Sequence, residues 1–316
     1  MARELILPRT VDGAGREDAA ESRRLRLLYN GFMNLRDLCR KYGIDFKKRL
    51  GQNLLLDDNI NRIMTEAAAL SEKDYVVEVG AGLGALTRHL AAKAGAVLAV
   101  EIDASFMPAL EDQFGATENV KLFRGDILNH SLPKLVDEFI PGGESYKMVS
   151  NLPYYITTPI LFHFVESPLH FERLVVMVQE EVALRMVAAV NTREYGVLGL
   201  ALNLHAELDI VHRVPRTCFV PRPNVDSAVV RIRLRDKPMY PDLEPKFLMG
   251  LVRAAFSQRR KTLRNSLTKT GVFGAPQEIV NQAFESTGID PGRRPQTLSL
   301  EEFAALAREI KARRLE

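Results

Sequence analysis

One short stretch constrains the fold of this chain more than any other: an apolar run that leads into three glycines at alternate positions. Tyr75–Val79 predicts a buried strand, and it continues into Gly80-Ala81-Gly82-Leu83-Gly84. Leu86–Lys93 then predicts a helix, and Ala96–Val100 predicts a second strand that ends at Glu101. A strand, a glycine turn, a helix and a second strand form a βαβ unit, so the pattern predicts a parallel sheet of the α/β class.

The glycines and the acid after the second strand predict a nucleoside site. Glycine lets the backbone turn sharply and approach a ligand without an intervening side chain. Glu101 follows the glycine turn by about 20 positions, where a carboxylate accepts hydrogen bonds from ribose hydroxyls. This spacing suits both a nicotinamide dinucleotide and S-adenosylmethionine, so the unit alone leaves the two ligands open.

Two further strands lead to polar residues. Val120–Arg124 predicts a third strand before Asp126, and Tyr146–Val149 predicts a fourth before Asn151. Because parallel strands end at the same edge of a sheet, Glu101, Asp126 and Asn151 should line one crevice. An adenosine fits this series, with Glu101 on its ribose and Asp126 near its adenine amine. Dehydrogenases do not need the Asn-Leu-Pro-Tyr sequence that begins at Asn151, which favours S-adenosylmethionine.

Length and composition set the class of protein. A chain of 316 residues exceeds one average domain, which predicts a large domain and a smaller one. Its 46% hydrophobic and 26% charged residues are typical of soluble globular proteins. No apolar run approaches the roughly 18 residues that span a bilayer, and the start of the chain is too polar for a secretory signal. Cys39, Cys218 and the six histidines lack metal-ligand spacing, so we expect a cytoplasmic protein without disulfides, metal or membrane contact.

The rest of the chain alternates helices with strands up to a proline-rich break. Three prolines fall within residues 236–245, and the sequence beyond them is predicted to be entirely helical. The predicted division is a partly helical extension at 1–46, a large domain at 47–236 and a helical domain at 246–316. The other predicted elements are a helix over Glu21–Lys41, a helix capped by Asp57 or Asp58, a strand over Leu174–Val178, a helix over Glu180–Ala189, strands over Glu207–Val214 and Ala228–Arg235, and a last helix that begins at a capping box of Ser299 and Glu302.

The cations of this chain are unevenly placed, although the net charge is only +3. Residues 246–271 contain seven Lys or Arg residues and no acid, which favours contact with phosphate groups. Lys47-Lys48-Arg49 forms a second cationic run in a predicted loop that suits an anionic partner. On the last predicted strand, Arg231, Arg233 and Arg235 alternate with apolar residues, and solvated arginines are the expected state there.

Several motifs together resemble the ribosomal RNA adenine dimethyltransferases, the family of the bacterial 16S dimethyladenosine transferase. They occur in the family's order from about Lys47 to Leu267, and several are specific to the family. The chain departs from the family at two positions: Ala81 stands where proline is usual, and Tyr155 stands where asparagine is common. The matching stretches are Leu50–Leu55, Glu78–Thr87, Glu101–Asp103, Gly125-Asp126, Asn151–Tyr154, Met177–Ala183, Phe219–Val230 and Arg259–Leu267.

The resemblance implies a class I S-adenosylmethionine-dependent methyltransferase, with a Rossmann-like seven-stranded α/β sheet and a small all-α C-terminal domain. It implies dimethylation of N6 on two adjacent adenosines in the 3′-terminal hairpin of small-subunit rRNA, during ribosome biogenesis. The residues implied to contact the cofactor are Asn53, Leu55, Gly80, Gly82, Glu101, Asp126 and Asn151.

The chemistry of adenine N6 indicates what the target end of the site must do. The N6 lone pair is delocalised into the ring, so two acceptors aimed at the N6 hydrogens would make the amine pyramidal and expose that lone pair. The expected acceptors are the Asn151 side-chain oxygen and the Leu152 carbonyl, whose orientation Pro153 restricts. Tyr154 is expected to stack on the base and Phe219 to cover its other face, and such stacking is worth roughly 1–3 kcal/mol per base.

The implied partner is small-subunit rRNA within a partly assembled subunit, bound by a monomer. Three other functions stay open. The large-subunit methyltransferases of macrolide resistance share the fold, although Leu152 and the long Phe219–Val230 match argue against them. An NAD-dependent oxidoreductase and a non-catalytic ribosome assembly factor are the alternatives of other classes. The expected RNA contacts are Lys47, Lys48, Arg49, Arg222, Arg259, Arg260, Lys261 and Arg264.

Overall fold

The computed structural model describes residues 35–44, 53–258, 260–270 and 275–315. The strands in these ranges are β1 (Leu54–Leu55), β2 (Asp74–Val79), β3 (Ala96–Glu101), β4 (Val120–Arg124), β5 (Ser145–Asn151), β6 (Phe171–Gln179), β7 (Ala206–Val214), β8 (Phe219–Val220) and β9 (Ser227–Leu234). The helices are α1 (Leu35–Tyr42), α2 (Asp58–Ala67), α3 (Thr87–Ala91), α4 (Met107–Phe114), α5 (Leu132–Phe139), α6 (Thr157–Val165), α7 (Glu180–Met186), α8 (Val197–Asn203), α9 (Pro245–Phe256), α10 (Leu263–Thr270), α11 (Gln277–Thr287) and α12 (Leu300–Leu315). No helix in the described ranges has the length and apolar character needed to cross a membrane.

Seven strands form one sheet in the order β4-β3-β2-β5-β6-β9-β7. The first five are parallel, and β9 runs antiparallel to both of its neighbours. The chain builds outward from β2 through β3 and β4, and then returns to place β5 on the other side of β2. That reversal opens a crevice at the carboxyl ends of β2 and β5, which is where open α/β sheets bind ligands. The predicted α/β class and seven-stranded sheet are confirmed.

Helices cover both faces of the sheet, because alternate residues of the central strands are buried on opposite sides. Val77 and Val79 belong to the core that includes residues of α5 to α8. Val76 and Val97 belong to the core on the other face, which includes residues of α2, α3 and α4. A parallel strand that is covered on both faces is expected to be apolar at successive positions, as Val76 and Val77 are.

All seven predicted strands occur in the sheet, whereas two helices are shorter than predicted. The helix after the glycine turn ends at Ala91. Gly95 then passes close to the chain before β2, since a Cβ there would lie 2.1 Å from the Glu72 carbonyl oxygen. The predicted Glu180–Ala189 helix ends at Met186, and the chain then turns so that the Asn191 amide donates to the Gln296 carbonyl at 2.8 Å.

The structure confirms both predicted helix caps. The Asp57 carboxylate accepts a hydrogen bond from the Asn59 amide at 3.0 Å and begins α2. Ser299 and Glu302 exchange hydrogen bonds of 2.8 and 3.2 Å before α12, as a capping box does. Of the helix predicted over Glu21–Lys41, only the end lies within the described residues, as α1.

The helices α9 to α12 enclose a separate hydrophobic core, and α8 joins it to the core beneath the sheet. Leu198 and Leu202 of α8 pack in the sheet core, while Leu200, Ala201 and Leu204 pack with the C-terminal helices. Residues 235–244 contain neither helix nor strand, in keeping with their prolines. The helix α8 precedes residues 236–245 and yet contributes to both cores. The domain boundary that the sequence predicts at these residues therefore stays a prediction.

Candidate active site

A cleft of about 1060 Å³, measured to its open mouth, lies at the carboxyl edge of the sheet. The turns that follow β2, β3, β4 and β5 form its floor, and β1 with the start of α2 forms a wall. The structure brings together every residue that the sequence assigned to the cofactor. Those residues are Asn53, Leu55, Gly80, Gly82, Glu101, Asp126 and Asn151.

The glycine turn after β2 leaves the middle of the cleft open. Gly80 has a φ of +79°, a conformation that residues with a Cβ rarely adopt, and its amide donates to the Val100 carbonyl at 2.8 Å. At Gly82, an added Cβ would lie 3.5 Å from Leu54 Cδ2, so the turn and β1 are close together there. The turn therefore presents backbone, not side chains, where it meets β1 and the turn after β5. S-adenosylmethionine fits a cleft of this form.

Glu101, at the tip of β3, is held in place by the backbone. It is buried, and its two carboxylate oxygens accept hydrogen bonds of 2.8 Å from the Gly82 and Asp103 amides. Burial raises the pKa of this carboxyl, and the two amide bonds oppose that rise. Because a carboxylate has about four lone-pair sites, each oxygen can still accept from a ligand hydroxyl.

Asp126, the acid after β4, is also fixed by its own turn. One carboxylate oxygen accepts from the Leu128 amide at 3.0 Å, and the other accepts from the Asn129 side chain at 3.2 Å. Asp126 thus caps a short 3₁₀ turn while it lines the cleft. Glu101 and Asp126 lie at the tips of neighbouring strands, an arrangement that suits a ribose and an adenine.

The turn after β5 presents two hydrogen-bond acceptors to the cleft. The Leu152 amide is engaged, because it donates to the Met177 carbonyl of β6 at 3.1 Å. Among the described residues, none donates a hydrogen bond to the Leu152 carbonyl or bonds the Asn151 side chain. Pro153 follows directly and lies beside Gly80, with its ring carbons 3.7 to 3.8 Å from the position of a Cβ on that glycine. Neither acceptor is therefore engaged within the described residues.

Tyr154 is anchored away from the glycine turn. Its hydroxyl shares a hydrogen bond of 2.6 Å with the Ser227 hydroxyl at the start of β9. Burial raises the pKa of Tyr154, and the bond to Ser227 opposes the rise. The Thr157 hydroxyl donates to the Pro153 carbonyl at 3.1 Å and thereby stabilises the same turn. The ring of Tyr154 lines the cleft in a set orientation, as a stacking platform requires.

Phe219 does not occupy the position that the sequence suggested. It is 2% exposed, lies in the core on one face of the sheet and does not line the cleft. The cause is the two-stranded sheet of β1 and β8, which pairs Phe219 with Leu55 and turns its ring inward, while the next residue, Val220, is exposed. A pair of two-residue strands is too short to show a period in the sequence. Phe219 does not line the cleft in this structure, so its role as the second cover of a target base stays a prediction.

The predicted RNA-contact residues divide into two groups. Lys47, Lys48, Arg49 and Arg259 lie outside the described residues. The other four cations are exposed, and no described carboxylate forms an ion pair with any of them: Arg222, Arg260, Lys261 and Arg264.

The strand arginines behave differently from this second group. Arg231 and Arg233 both bond the Asp209 carboxylate across the β7–β9 ladder, at 2.9 to 3.1 Å, and Arg235 pairs with Glu207 at 3.1 Å. They are therefore not simply solvated, as the sequence suggested, but neutralised by acids of the neighbouring strand.

Four polar or exposed residues among those that line the cleft were not assigned to it from the sequence. Asn61 is buried on α2, and Ile102 is exposed directly after Glu101. Glu78 is buried at the end of β2, accepts a 2.6 Å hydrogen bond from the Thr87 hydroxyl, and has its pKa raised by burial to about 8. A carboxyl inside an apolar strand was the signal for Glu78. Tyr155 is the fourth, and it is 52% exposed.

Comparisons with known proteins agree with this geometry. The sequence model of a family described as ribosomal RNA adenine dimethylase matches residues 43–312. The Ribosomal RNA small subunit methyltransferase A of Bacillus cytotoxicus is 42% identical over 276 residues, which cover 87% of this chain and 94% of that protein. Its counterpart from Bacillus cereus is 41% identical over 281 residues, 89% of this chain and 96% of that protein.

Two solved structures share the fold. A dimethyladenosine transferase from Plasmodium falciparum has a TM-score of 0.70 at 23% identity, over 82% of this chain and 98% of that one. The 23S rRNA methyltransferase ErmE has a TM-score of 0.62 at 26% identity, over 82% of this chain and 99% of that one. The sheet with its crevice and the C-terminal helices therefore form an arrangement that is known from other proteins.

Proposed function

The chain belongs to the ribosomal RNA adenine dimethylase family, and on this premise we propose that it dimethylates N6 of two adjacent adenosines in the 3′-terminal hairpin of small-subunit rRNA. The methyl donor is S-adenosylmethionine. The curated relatives are small-subunit methyltransferases by name and are closer in sequence than the large-subunit enzyme, which favours the small subunit.

The observation that carries the proposal is the pair of acceptors at the tip of β5. The Asn151 side-chain oxygen and the Leu152 carbonyl are adjacent, and no described residue bonds either of them. They accept the two N6 hydrogens of the target adenine, which turns the amine lone pair toward the middle of the cleft. Preorganised groups of this kind act on the charge that develops in the transition state and need no rearrangement.

The donor end of the cleft positions the other reactant. Glu101 and Asp126 would hold the ribose and the adenine of S-adenosylmethionine, and the glycine turn would lie against its middle. When bound, S-adenosylmethionine supplies a methyl group that is already activated on a sulfonium. The protein therefore contributes position and electrostatics, and no strong base is required, because the methylated amine is a cation of low pKa that loses its proton to water.

The target base must leave its helix to reach the cleft. Extraction of a nucleotide costs a few kcal/mol, and stacking on an aromatic ring returns roughly 1–3 kcal/mol per base. Tyr154 supplies this ring, since its bond to Ser227 holds it in one orientation. The second face of the base lacks the expected partner, because Phe219 is buried.

The cationic surface holds the surrounding RNA. We use the term cationic surface for the exposed cations Arg222, Arg260, Lys261 and Arg264, which lie in two parts of the chain and have no described carboxylate partner. Cations in this state bind phosphates without selecting a sequence. The proposed partner is the immature small subunit in the cytoplasm, bound by one copy of the chain. The C-terminal helices are the part proposed to bind the RNA.

Methyl transfer to ribosomal particles tests this function. The purified chain is incubated with tritiated S-adenosylmethionine and with small subunits that lack dimethyladenosine, and the RNA is then digested to nucleosides. Label should appear as N6,N6-dimethyladenosine from the 3′-terminal hairpin. Parallel incubation with large subunits is the control, and label confined to large-subunit RNA would show the macrolide-resistance type of activity instead.

A further inference from the structure

Tyr155 is an exposed aromatic side chain inside a cleft whose other aromatic lining residues are more buried. It is 52% exposed, it lines the cleft, and it belongs to the 3₁₀ turn that precedes α6. No described residue hydrogen-bonds its hydroxyl. A large apolar surface that is held open at a binding site usually has a ligand to cover.

The two consecutive tyrosines have different polar neighbours. Tyr154 bonds Ser227 of β9, which lies beyond β6 in the strand order. Tyr155 lines the cleft together with Glu101 and Asp126, and besides burial the charges of these two acids raise its pKa. The two acids follow β3 and β4, so Tyr155 lies within electrostatic reach of the donor end of the cleft.

A second exposed apolar residue lies at the same end. Ile102 directly follows Glu101, lines the cleft and is 45% exposed. Glu101 and Asp126 thus lie in a part of the cleft that has apolar surface from both β3 and the turn after β5. This combination of acceptors for hydroxyls or amines with flanking apolar surface is suited to a purine nucleoside.

We propose that Tyr155 forms the outer wall of the donor's nucleoside site and sets the affinity for S-adenosylmethionine and its demethylated product. This inference rests on the proposed function, since it concerns the same cleft. It assigns Tyr155 to the donor, not to the target base. The carboxylates beside the ring favour this assignment, because they repel the phosphates that accompany an RNA base.

A single-tryptophan reporter tests where the ligand lies. The chain contains no tryptophan, so Tyr155→Trp creates one emission signal at this position. Titration with S-adenosylhomocysteine should change that emission, whereas RNA without the product should not. Val190→Trp is the matched control, because Val190 is 41% exposed and lies outside the cleft. A response of Tyr155→Trp to RNA alone, with none to S-adenosylhomocysteine, overturns the assignment.

Direct binding measurements separate the possible outcomes. By calorimetry, Tyr155→Asn should bind S-adenosylhomocysteine about tenfold more weakly, while Tyr155→Phe keeps the ring and should stay within about twofold of the original chain. RNA affinity in the absence of the product should be equal for all three. A wild-type chain that binds no product overturns the proposed function itself. A wild-type chain that binds it, with Tyr155→Asn equally tight, overturns only the role of Tyr155.

Discussion

The cleft and the cationic surface differ in how the protein holds their polar side chains. In the cleft, Glu101 and Asp126 accept backbone hydrogen bonds, and Tyr154 is tied to Ser227. On the cationic surface the side chains are exposed, and no described carboxylate pairs with them. One region is therefore fixed before any ligand arrives, whereas the other keeps its charges available.

This difference matches two separate tasks. Groups that position reacting atoms must be held to within a fraction of an ångström by their surroundings, so the protein engages them. Groups that bind phosphates need only charge and reach, and their contribution depends on salt. Substitutions in the two regions should therefore separate methyl transfer and donor affinity from RNA affinity.

Asn151→Ala should have the largest effect. The variant loses one of the two acceptors proposed for the target amine, and removal of one preorganised group typically lowers the rate about 10²- to 10³-fold. RNA affinity should be retained, because Asn151 lies in the cleft and is not one of the exposed cations proposed to bind phosphate. Single-turnover transfer of tritiated methyl groups measures the rate, and filter binding measures the RNA affinity.

Asn59→Ala is the control for this experiment, since Asn59 is exposed on α2 and lies outside the cleft. A loss of RNA affinity in proportion to the rate would make Asn151 an RNA contact and would remove the distinction between the regions. Full rescue of cell growth by Asn151→Ala would favour the non-catalytic assembly role.

The buried carboxyl of Glu78 should make the stability of the protein depend on pH. Burial raises its pKa from the ordinary value of 4.5 to about 8. The folded chain therefore keeps the proton while the unfolded chain loses it. This contribution to stability is fully present below pH 4.5 and is lost as the pH rises to about 8, by several kcal/mol.

Glu78→Gln removes this ionisation and keeps an oxygen for the Thr87 hydroxyl. Urea unfolding measures the free energy of unfolding of both chains. Between pH 5 and pH 8, the value for the variant should rise relative to the value for the original chain. The difference should level off above about pH 8. Parallel pH curves for the two chains would show that Glu78 is ionised in the fold.

Replacement of the cations on α10 and just before it should weaken RNA binding with little effect on the donor. With Arg260, Lys261 and Arg264 changed to Gln, RNA affinity at physiological salt should fall roughly 10- to 100-fold, and the salt dependence should lose about one unit of slope per lost phosphate contact. Binding of S-adenosylhomocysteine should be unchanged. Filter binding over a salt series measures the slope.

Arg231→Gln is a control that removes one paired cation, because Arg231 already pairs with Asp209. Its salt slope should match that of the original chain. An equal loss of slope in both variants would show that the RNA does not distinguish paired from unpaired arginines.

The sequence predicted which residues lie at the strand tips, but it did not predict the directions of side chains that depend on strand pairing. Apolar runs such as Tyr75–Val79 predicted strands, and the acids and amide after them met in one cleft because parallel strands end at one edge. The inward turn of Phe219 depends on its pairing with Leu55, more than 160 residues away in the chain. Likewise, the pairing of Arg231 with Asp209 follows from strand register, which no local pattern specifies.

Glu101→Gln should have the smallest effect of the series and should be confined to the donor. Both carboxylate oxygens of Glu101 accept from backbone amides, and an amide side chain can accept on only one side. Either the Gly82 or the Asp103 amide is then left facing an NH₂ group, and a ribose hydroxyl loses a charged acceptor. The expected loss is about tenfold in affinity for S-adenosylhomocysteine by calorimetry, or ~1.4 kcal/mol.

RNA affinity of the same variant should be unchanged. The cation variant, in contrast, should lose RNA affinity and keep its affinity for S-adenosylhomocysteine. Glu111→Gln is the matched control, since Glu111 is exposed on α4 and does not line the cleft. If Glu101→Gln binds the product as tightly as the original chain does, the ribose is not held at the tip of β3. The donor end of the cleft would then be defined by Asp126 and the glycine turn alone.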